Sequence, residues 1–127
     1  YEKAARGIED ARRYPYGDKF DTNKGNTAHS EIGMTSAVGM YPDGTSPYGV
    51  LDMSGNVWKW MRSKYQIYQY NNNDRQLSED FRNRRSLRGG SWFNVQDWAR
   101  VSSRGDFDPP YGNYNRGFCA VLNILLN

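Results

Sequence analysis

The segment from Tyr14 to Gly49, YPYGDKFDTNKGNTAHSEIGMTSAVGMYPDGTSPYG, limits what this chain can become. Gly, Pro, Asn, Asp and Ser recur so often that neither a helical nor a strand period survives. It is far too long for an ordinary connection between elements. In a compact domain such a loop persists only if its own side chains pin it down. Tyr14, Tyr16, Phe20, Tyr41 and Tyr48 are spaced for that task. Aliphatic core material is scarce: hydrophobic residues are 37% of the chain and the mean hydropathy is -0.94. Aromatics reach 15%, with 10 Tyr and 4 Trp, so large rings must build part of the core. The 127 residues suit one domain.

The flanks are more regular. YEKAARG, Tyr1 to Gly7, combines good helix formers with a glycine stop, which predicts a short helix. VWKWM, Val57 to Met61, fits a strand or a helical turn. SLRGGSW reads as a strand with a bend at Gly89-Gly90. WARVSSR alternates and reads as a strand, and RGFCAVLNILL as another, buried at its start. The Asn-rich stretch after Gln66 reads as an exposed excursion, and GDFDPPYGNYN as a loop around Pro109 and Pro110. A helix in front, long pinned loops and short strands behind predict an α+β domain with little regular structure.

Several function classes drop out. The net charge is only +3, and 14 acidic residues are interspersed among the cations. The densest basic run, FRNRRSLR, is too short for a nucleic-acid stripe, so no nucleic-acid partner is expected. Cys119 is the single cysteine and excludes an intrachain disulfide. A cysteine-based metal site would have only His29 as an imidazole partner. No apolar run approaches membrane-spanning length. Asp106 and Asp108 have no adjacent general acid, and Asp97, Ser102 and Ser103 have no histidine nearby in sequence. No catalytic residues are assigned.

YEKAARG, RRYPYGDKFD, YGVLDMSGNVWKW, LRGGSWF and RGFCAV occur in this order. Together they resemble the formylglycine-generating-enzyme (sulfatase-modifying-factor) domain, a variant of the C-type lectin fold. The resemblance implies an α+β, loop-rich fold with short antiparallel strands. It makes residues 1–127 a single domain corresponding to the C-terminal part of the family domain. In that frame Gly89 and Gly90 bend the backbone. Trp58, Trp60, Trp92 and Phe118 form an aromatic core, and Asp52 and Asn56 bond nearby backbone N–H groups at a turn.

The same resemblance weighs against catalysis. Oxidase members carry two cysteines just after the GGS motif. Those positions fall at Asn94 and Ala99, which supply neither a thiolate nucleophile nor a soft metal ligand. Cys119 reads instead as a small buried apolar residue. Relatives commonly have Glu in GNVWEW as part of a structural calcium site. Here Lys59 stands in its place, and an ammonium does not ligate calcium. A first calcium loop would involve Asn26 and Thr27, with Glu31 as a candidate acid. No metal or cofactor is expected.

The fold subtype also serves as the variable protein of diversity-generating retroelements. There, adenine mutagenesis of AAY codons scatters residues between a GGSW start and a GF end. Such mutagenesis does not yield Lys, Glu, Met, Gln or Trp. Between Phe93 and Asn115 there is no Lys, Glu or Met, while Gln96 and Trp98 fall outside the set. Residues 88–118 therefore read as a variable, ligand-binding region. Its displayed candidates are Phe93, Asn94, Gln96, Asp97, Trp98, Ser103, Asp106, Phe107, Asp108, Tyr111, Asn113 and Tyr114. Trp98 and Phe107 fit a core equally well. Aromatics mixed with Asn, Ser, Gly and Asp are the usual paratope chemistry. The expected role is non-catalytic binding of a protein or cell-surface ligand, with no membrane span; display on a cell or virion surface would suit it. The alternative is an enzyme or enzyme fragment of the family with different chemistry. Ergothioneine-type sulfoxide synthases, whose iron ligands lie elsewhere in their chains, are the example.

Overall fold

A computed structural model describes residues 1–8, 11–65, 84–109 and 112–120. Tyr111, most of the Asn-rich excursion and the end of the last expected strand lie outside these residues.

Helix α1 spans Glu2–Arg6. Ala4 and Ala5 favour it, and Glu2 pairs with Arg6 one turn on. Gly7 ends it with φ 88, a left-handed value that glycine adopts without steric cost. The inner side of α1 buries Ala5 against Met53 and Val101, with Tyr1, Ala4 and Val50 packed around them. The Tyr1 hydroxyl donates to the Met53 carbonyl, which ties the helix start to the turn before the sheet.

Four strands form one sheet: β1 Trp58–Lys64, β2 Arg85–Arg88, β3 Arg104–Phe107 and β4 Arg116–Gly117. Their order is β3-β2-β1-β4. The β1–β2 and β2–β3 pairs are antiparallel, as expected, and the two-residue β4 runs parallel to β1. The β1–β2 register slips between Trp60 and Lys64. Strand alternation sorts the side chains into two layers. Trp60 opposes Leu87, and Leu87 opposes Gly105, so Trp58, Trp60, Leu87, Gly105 and Phe107 share one face. Lys59, Ser86, Arg88, Arg104 and Asp106 share the other. Arg88 reaches from that second face to Glu2 at 3.2 Å, fixing α1 against the sheet.

The long loop is pinned in two ways. Its first half uses rings, as the sequence suggests: Tyr14 stacks on Tyr16 at 5.6 Å, Phe20 leans on Tyr14, and His29 meets the edge of Phe20. Its second half does not. Tyr48 is exposed, and polar side chains hold this part instead. Gly39 N–H donates to Asp52 at 2.9 Å. Asn56 accepts from Ser36 N–H at 3.0 Å and donates back to the Ser36 carbonyl at 3.1 Å. Asp52 and Asn56 therefore bond backbone far away in sequence, not the adjacent turn. Both take positive φ, 53 and 63, so that they point across at the loop. Between them Gly55, at φ 83, packs on Asn26 so closely that an added Cβ would lie 2.1 Å from the Asn26 carbonyl oxygen.

Other expectations need correcting. WARVSSR is not a strand: residues Gln96–Ala99 form a 3-10 turn. Burying Ala99 and Val101 satisfies the alternation without sheet pairing. The expected loop GDFDPP opens inside β3. Phe118 is exposed rather than core, and Cys119 is exposed rather than buried, because pairing of the last strand stops at Gly117.

Candidate functional site

The site is built on the Gly89-Gly90 corner. Both glycines take positive φ, 90 and 69. A Cβ on Gly90 would stand 2.9 Å from the Trp98 carbonyl oxygen, so the corner and the 3-10 turn touch through bare backbone. Downstream, Ser91 donates from both its N–H and its hydroxyl to the Asn94 side chain, at 3.1 and 2.6 Å. The Asn94 carbonyl in turn accepts from Ala28 N–H at 3.0 Å, tying the corner to the long loop. Trp92 N–H donates to the Asn56 carbonyl at 2.9 Å. The backbone under residues 91–99 is thus braced from three directions.

On this base the rings gather. Trp92 meets Phe93 edge-on at 5.7 Å and Tyr114 at the same centroid distance. Phe93 is 63% exposed and Tyr114 71%. Trp98 leans edge-on against buried Trp58 at 5.9 Å yet stays 46% exposed, so it is both anchor and surface. Phe107 lies on the Trp58 face of the sheet with the Arg116 guanidinium 3.4 Å above its ring. Gln96, Asp97 and Asn113 are exposed.

Several displayed candidates are placed otherwise. Ser103 is buried, and its hydroxyl donates to the Asp97 carbonyl at 2.6 Å, closing the turn rather than facing solvent. Asn94 is half-buried and serves as the internal brace described above. Asp106 lies on the opposite sheet face from Phe107 and pairs with Arg84 at 2.6 Å; Asp108 stands 3.9 Å from the same guanidinium. Asp106 and Asp108 therefore group apart from the aromatic candidates. Two residues join the site that the sequence does not mark for it, Trp92, expected in the core, and Arg116, over the Phe107 ring. Trp92 is half-buried and joins Phe93 to Tyr114, and its place next to the displayed candidate Phe93 is the one signal in the sequence. An open groove of about 560 Å³ runs along Tyr16 to Thr22 and Lys24, and none of its lining belongs to the candidate set.

The positions of the relatives' catalytic cysteines have packing roles. Asn94 braces the corner. Ala99 is fully buried, and its carbonyl accepts from the Ser54 hydroxyl at 2.9 Å. The position of the Glu expected in a calcium site is filled by a cation. Lys59 is buried, and its ammonium donates to the Gly55 carbonyl at 2.7 Å, taking an oxygen of the kind a hard cation would use. Burial pulls the Lys59 amine down to about 8, with the Asp52 carboxylate opposing the shift. At the other candidate loop, Asn26 Oδ1 is buried with no hydrogen-bond partner among the described residues, and Glu31 faces solvent. No group of three His, Cys, Asp or Glu side chains converges among the described residues.

Comparison with known proteins fits this geometry. The sequence profile of the sulfatase-modifying factor enzyme 1-like domain matches residues 1–124. The inactive C-alpha-formylglycine-generating enzyme 2 of Bos taurus is 34% identical over 136 residues, covering 94% of this chain and 41% of that protein. The hercynine oxygenase of Mycolicibacterium thermoresistibile is 34% identical over 110 residues, covering 78% of this chain and 24% of that protein. Among solved structures, Treponema denticola variable protein 1 superposes with a TM-score of 0.75 at 23% identity, covering 92% of this chain and 42% of that one. The chain thus spans less than half the length of each of these relatives. With its curled sheet, braced loops and glycine corner, it has the C-type lectin fold of the formylglycine-generating-enzyme subtype, and it belongs to the sulfatase-modifying factor enzyme 1-like domain family.

Proposed function

We propose that this chain is a non-catalytic ligand-binding member of the family, acting as the variable protein of a diversity-generating retroelement. It presents Phe93, Gln96, Asp97, Trp98, Asn113 and Tyr114 to a protein or cell-surface ligand and uses no cofactor. One observation carries the reading: Trp92, Phe93 and Tyr114 form a contiguous, largely exposed ring cluster on a backbone that is locked before any ligand arrives. Rigid aromatic anchors lose little conformational freedom on binding, so a braced platform favours affinity. Exposed Gln96, Asp97 and Asn113 add adaptable hydrogen-bonding groups nearby. The likeness to an inactive family member and to a variable protein supports the same direction.

The DNA beside the gene tests the diversification. A reverse-transcriptase frame is expected, together with a near-copy of the Arg88–Phe118 coding segment that differs at adenines. Absence of both refutes the retroelement role. Incubation with a cysteine-containing sulfatase peptide and copper tests the other half: the peptide mass is expected to stay unchanged, and aldehyde formation refutes the non-catalytic reading. The similarity to a hercynine oxygenase favours a second reading, a family enzyme with different chemistry. Stoichiometric iron in the purified gene product would select it over the first.

A further inference from the structure

Lys59 is the first Lys or Arg after Lys24, with Glu31, Asp43 and Asp52 between them. It is also buried, although lysine usually keeps its ammonium in water. The turn beneath it shows what the charge meets. Asp52, Gly55 and Asn56 take positive φ, 53, 83 and 63, so the turn runs neither as helix nor as strand. Its peptide groups point apart: Gly55 N–H donates to the Gly89 carbonyl and Asn56 N–H to the Asn26 carbonyl, both at 2.7 Å. The Met53 carbonyl accepts from the Tyr1 hydroxyl, and the Gly55 carbonyl accepts from Lys59 Nζ at 2.7 Å. Lys59 Nζ and the Met53 carbonyl oxygen each lie 3.3 Å from where a Gly89 Cβ would stand. The ammonium therefore sits where the turn, the glycine corner and the start of α1 meet. The Asp52 carboxylate favours the charge there.

A carboxylate in this place would do the reverse. Its oxygens and the Gly55 carbonyl oxygen would repel unless a cation lay between them. A hard cation such as calcium bonds oxygens of this kind at about 2.3–2.6 Å. An ammonium reaches a carbonyl at nearly the same distance and carries its charge on a covalent stem. The family resemblance puts a calcium-ligating Glu at this position, whereas this chain brings its own cation to the Gly55 carbonyl. We infer that Lys59 is a tethered counterpart of a metal ion: its ammonium holds the turn at residues 52–56 against the glycine corner, and the fold keeps that turn without calcium. The role belongs to the scaffold and holds whatever the aromatic platform binds. It also makes calcium a requirement again once Lys59 becomes Glu, because the oxygens then face one another with no charge between them. Methionine does not probe this role, since a thioether brings no oxygen that needs a cation.

Urea unfolding of the full chain, wild type and Lys59→Glu, in EGTA and in calcium chloride tests the inference. The wild-type unfolding constant is expected to differ by less than about twofold between the two buffers. For Lys59→Glu, calcium at about ten times its dissociation constant is expected to lower the unfolding constant about tenfold. Magnesium at the same concentration is expected to lower it by less than about twofold, since it demands a smaller, octahedral site. If the variant does not fold in EGTA, recovery of its circular dichroism on adding calcium supports the inference. If it folds in neither buffer, Lys59→Gln decides, because its amide keeps an oxygen without the charge; a calcium response larger than the wild type's is expected. A Glu variant as indifferent to calcium as the wild type overturns the inference, and so does a Gln variant without a response. A wild type that depends on calcium as strongly as the Glu variant also overturns it. Equal rescue by magnesium does the same, for it would mark general screening of charge.

Discussion

Replacing Lys59 by Met tests how a buried charge is tolerated at the centre of this fold. Lys59 is 6% exposed and its ammonium bonds the Gly55 carbonyl at 2.7 Å, with Asp52 as its electrostatic counterweight. Its pKa falls from 10.5 to about 8 in the folded chain. That shift makes the protonated form cost about 3 kcal/mol at neutral pH. The sign follows from proton counting. Between about 8 and 10.5 the unfolded chain holds this proton and the folded chain does not, so stability rises as pH rises. From pH 7 to 9.5 the gain is about 2 kcal/mol by the same linkage. Burial raises the Tyr1 phenol, which acts oppositely once unfolded tyrosines ionise, so the measurement stops at pH 9.5. The variant removes the penalty but leaves the Gly55 carbonyl without its lysine donor, a loss of about 1–2 kcal/mol. Lys59→Met is therefore expected to be more stable at pH 7 by about 1–2 kcal/mol and to lose most of the pH slope. Urea unfolding followed by tryptophan fluorescence at each pH reads both quantities. A flat wild-type profile refutes the reasoning. So does a variant less stable at pH 7 by more than about 2 kcal/mol, because the ammonium would then be a net stabilising cation.

Gly55→Ala forces a Cβ against the Asn26 carbonyl at positive φ and is expected to cost at least about 3 kcal/mol in the same assay. Asn56→Ala removes both bonds to Ser36, and Asp52→Ala the bond to Gly39. Amide exchange at Ser36 and Gly39 respectively is expected to accelerate, equivalent to about 1–2 kcal/mol of local stability. Tyr114→Ala, at an exposed ring, is expected to change stability by under about 0.5 kcal/mol while weakening capture of a cell-surface ligand at least about tenfold. Equal capture by this variant in a cell-binding assay would remove Tyr114 from the site.

Local chemistry explains which parts of the chain could be read in advance. The Ala-rich start and Gly7 announced α1, and the glycine pair before Ser91 announced the corner. The alternation of Val57 to Met61 admitted β1. WARVSSR misled because buried Ala99 and Val101 produce the same alternation in a turn that docks on Gly90 as they would in a paired strand. Ser103 counts as displayed because it falls inside the variable stretch, yet its hydroxyl bonds the Asp97 carbonyl and it is buried. Asn94 was doubly informative. The sequence showed that it is no thiol, and only the coordinates showed its amide holding Ser91.

The sequence by itself determined the family, the absence of cysteines where the oxidase relatives need them, and the concentration of rings after Gly90. These rest on residue identity and on backbone preferences within a few positions. The tertiary structure alone decided which rings surface together, that Asp106 and Phe107 part to opposite faces, and that the Ile32–Met40 loop is held with its apolar side chains outward. Those outcomes depend on hydrogen bonds such as Asn56 to Ser36 and Asp52 to Gly39, which join residues far apart in the chain. No local propensity encodes such a bond, because it forms only once the sheet and the long loop have met.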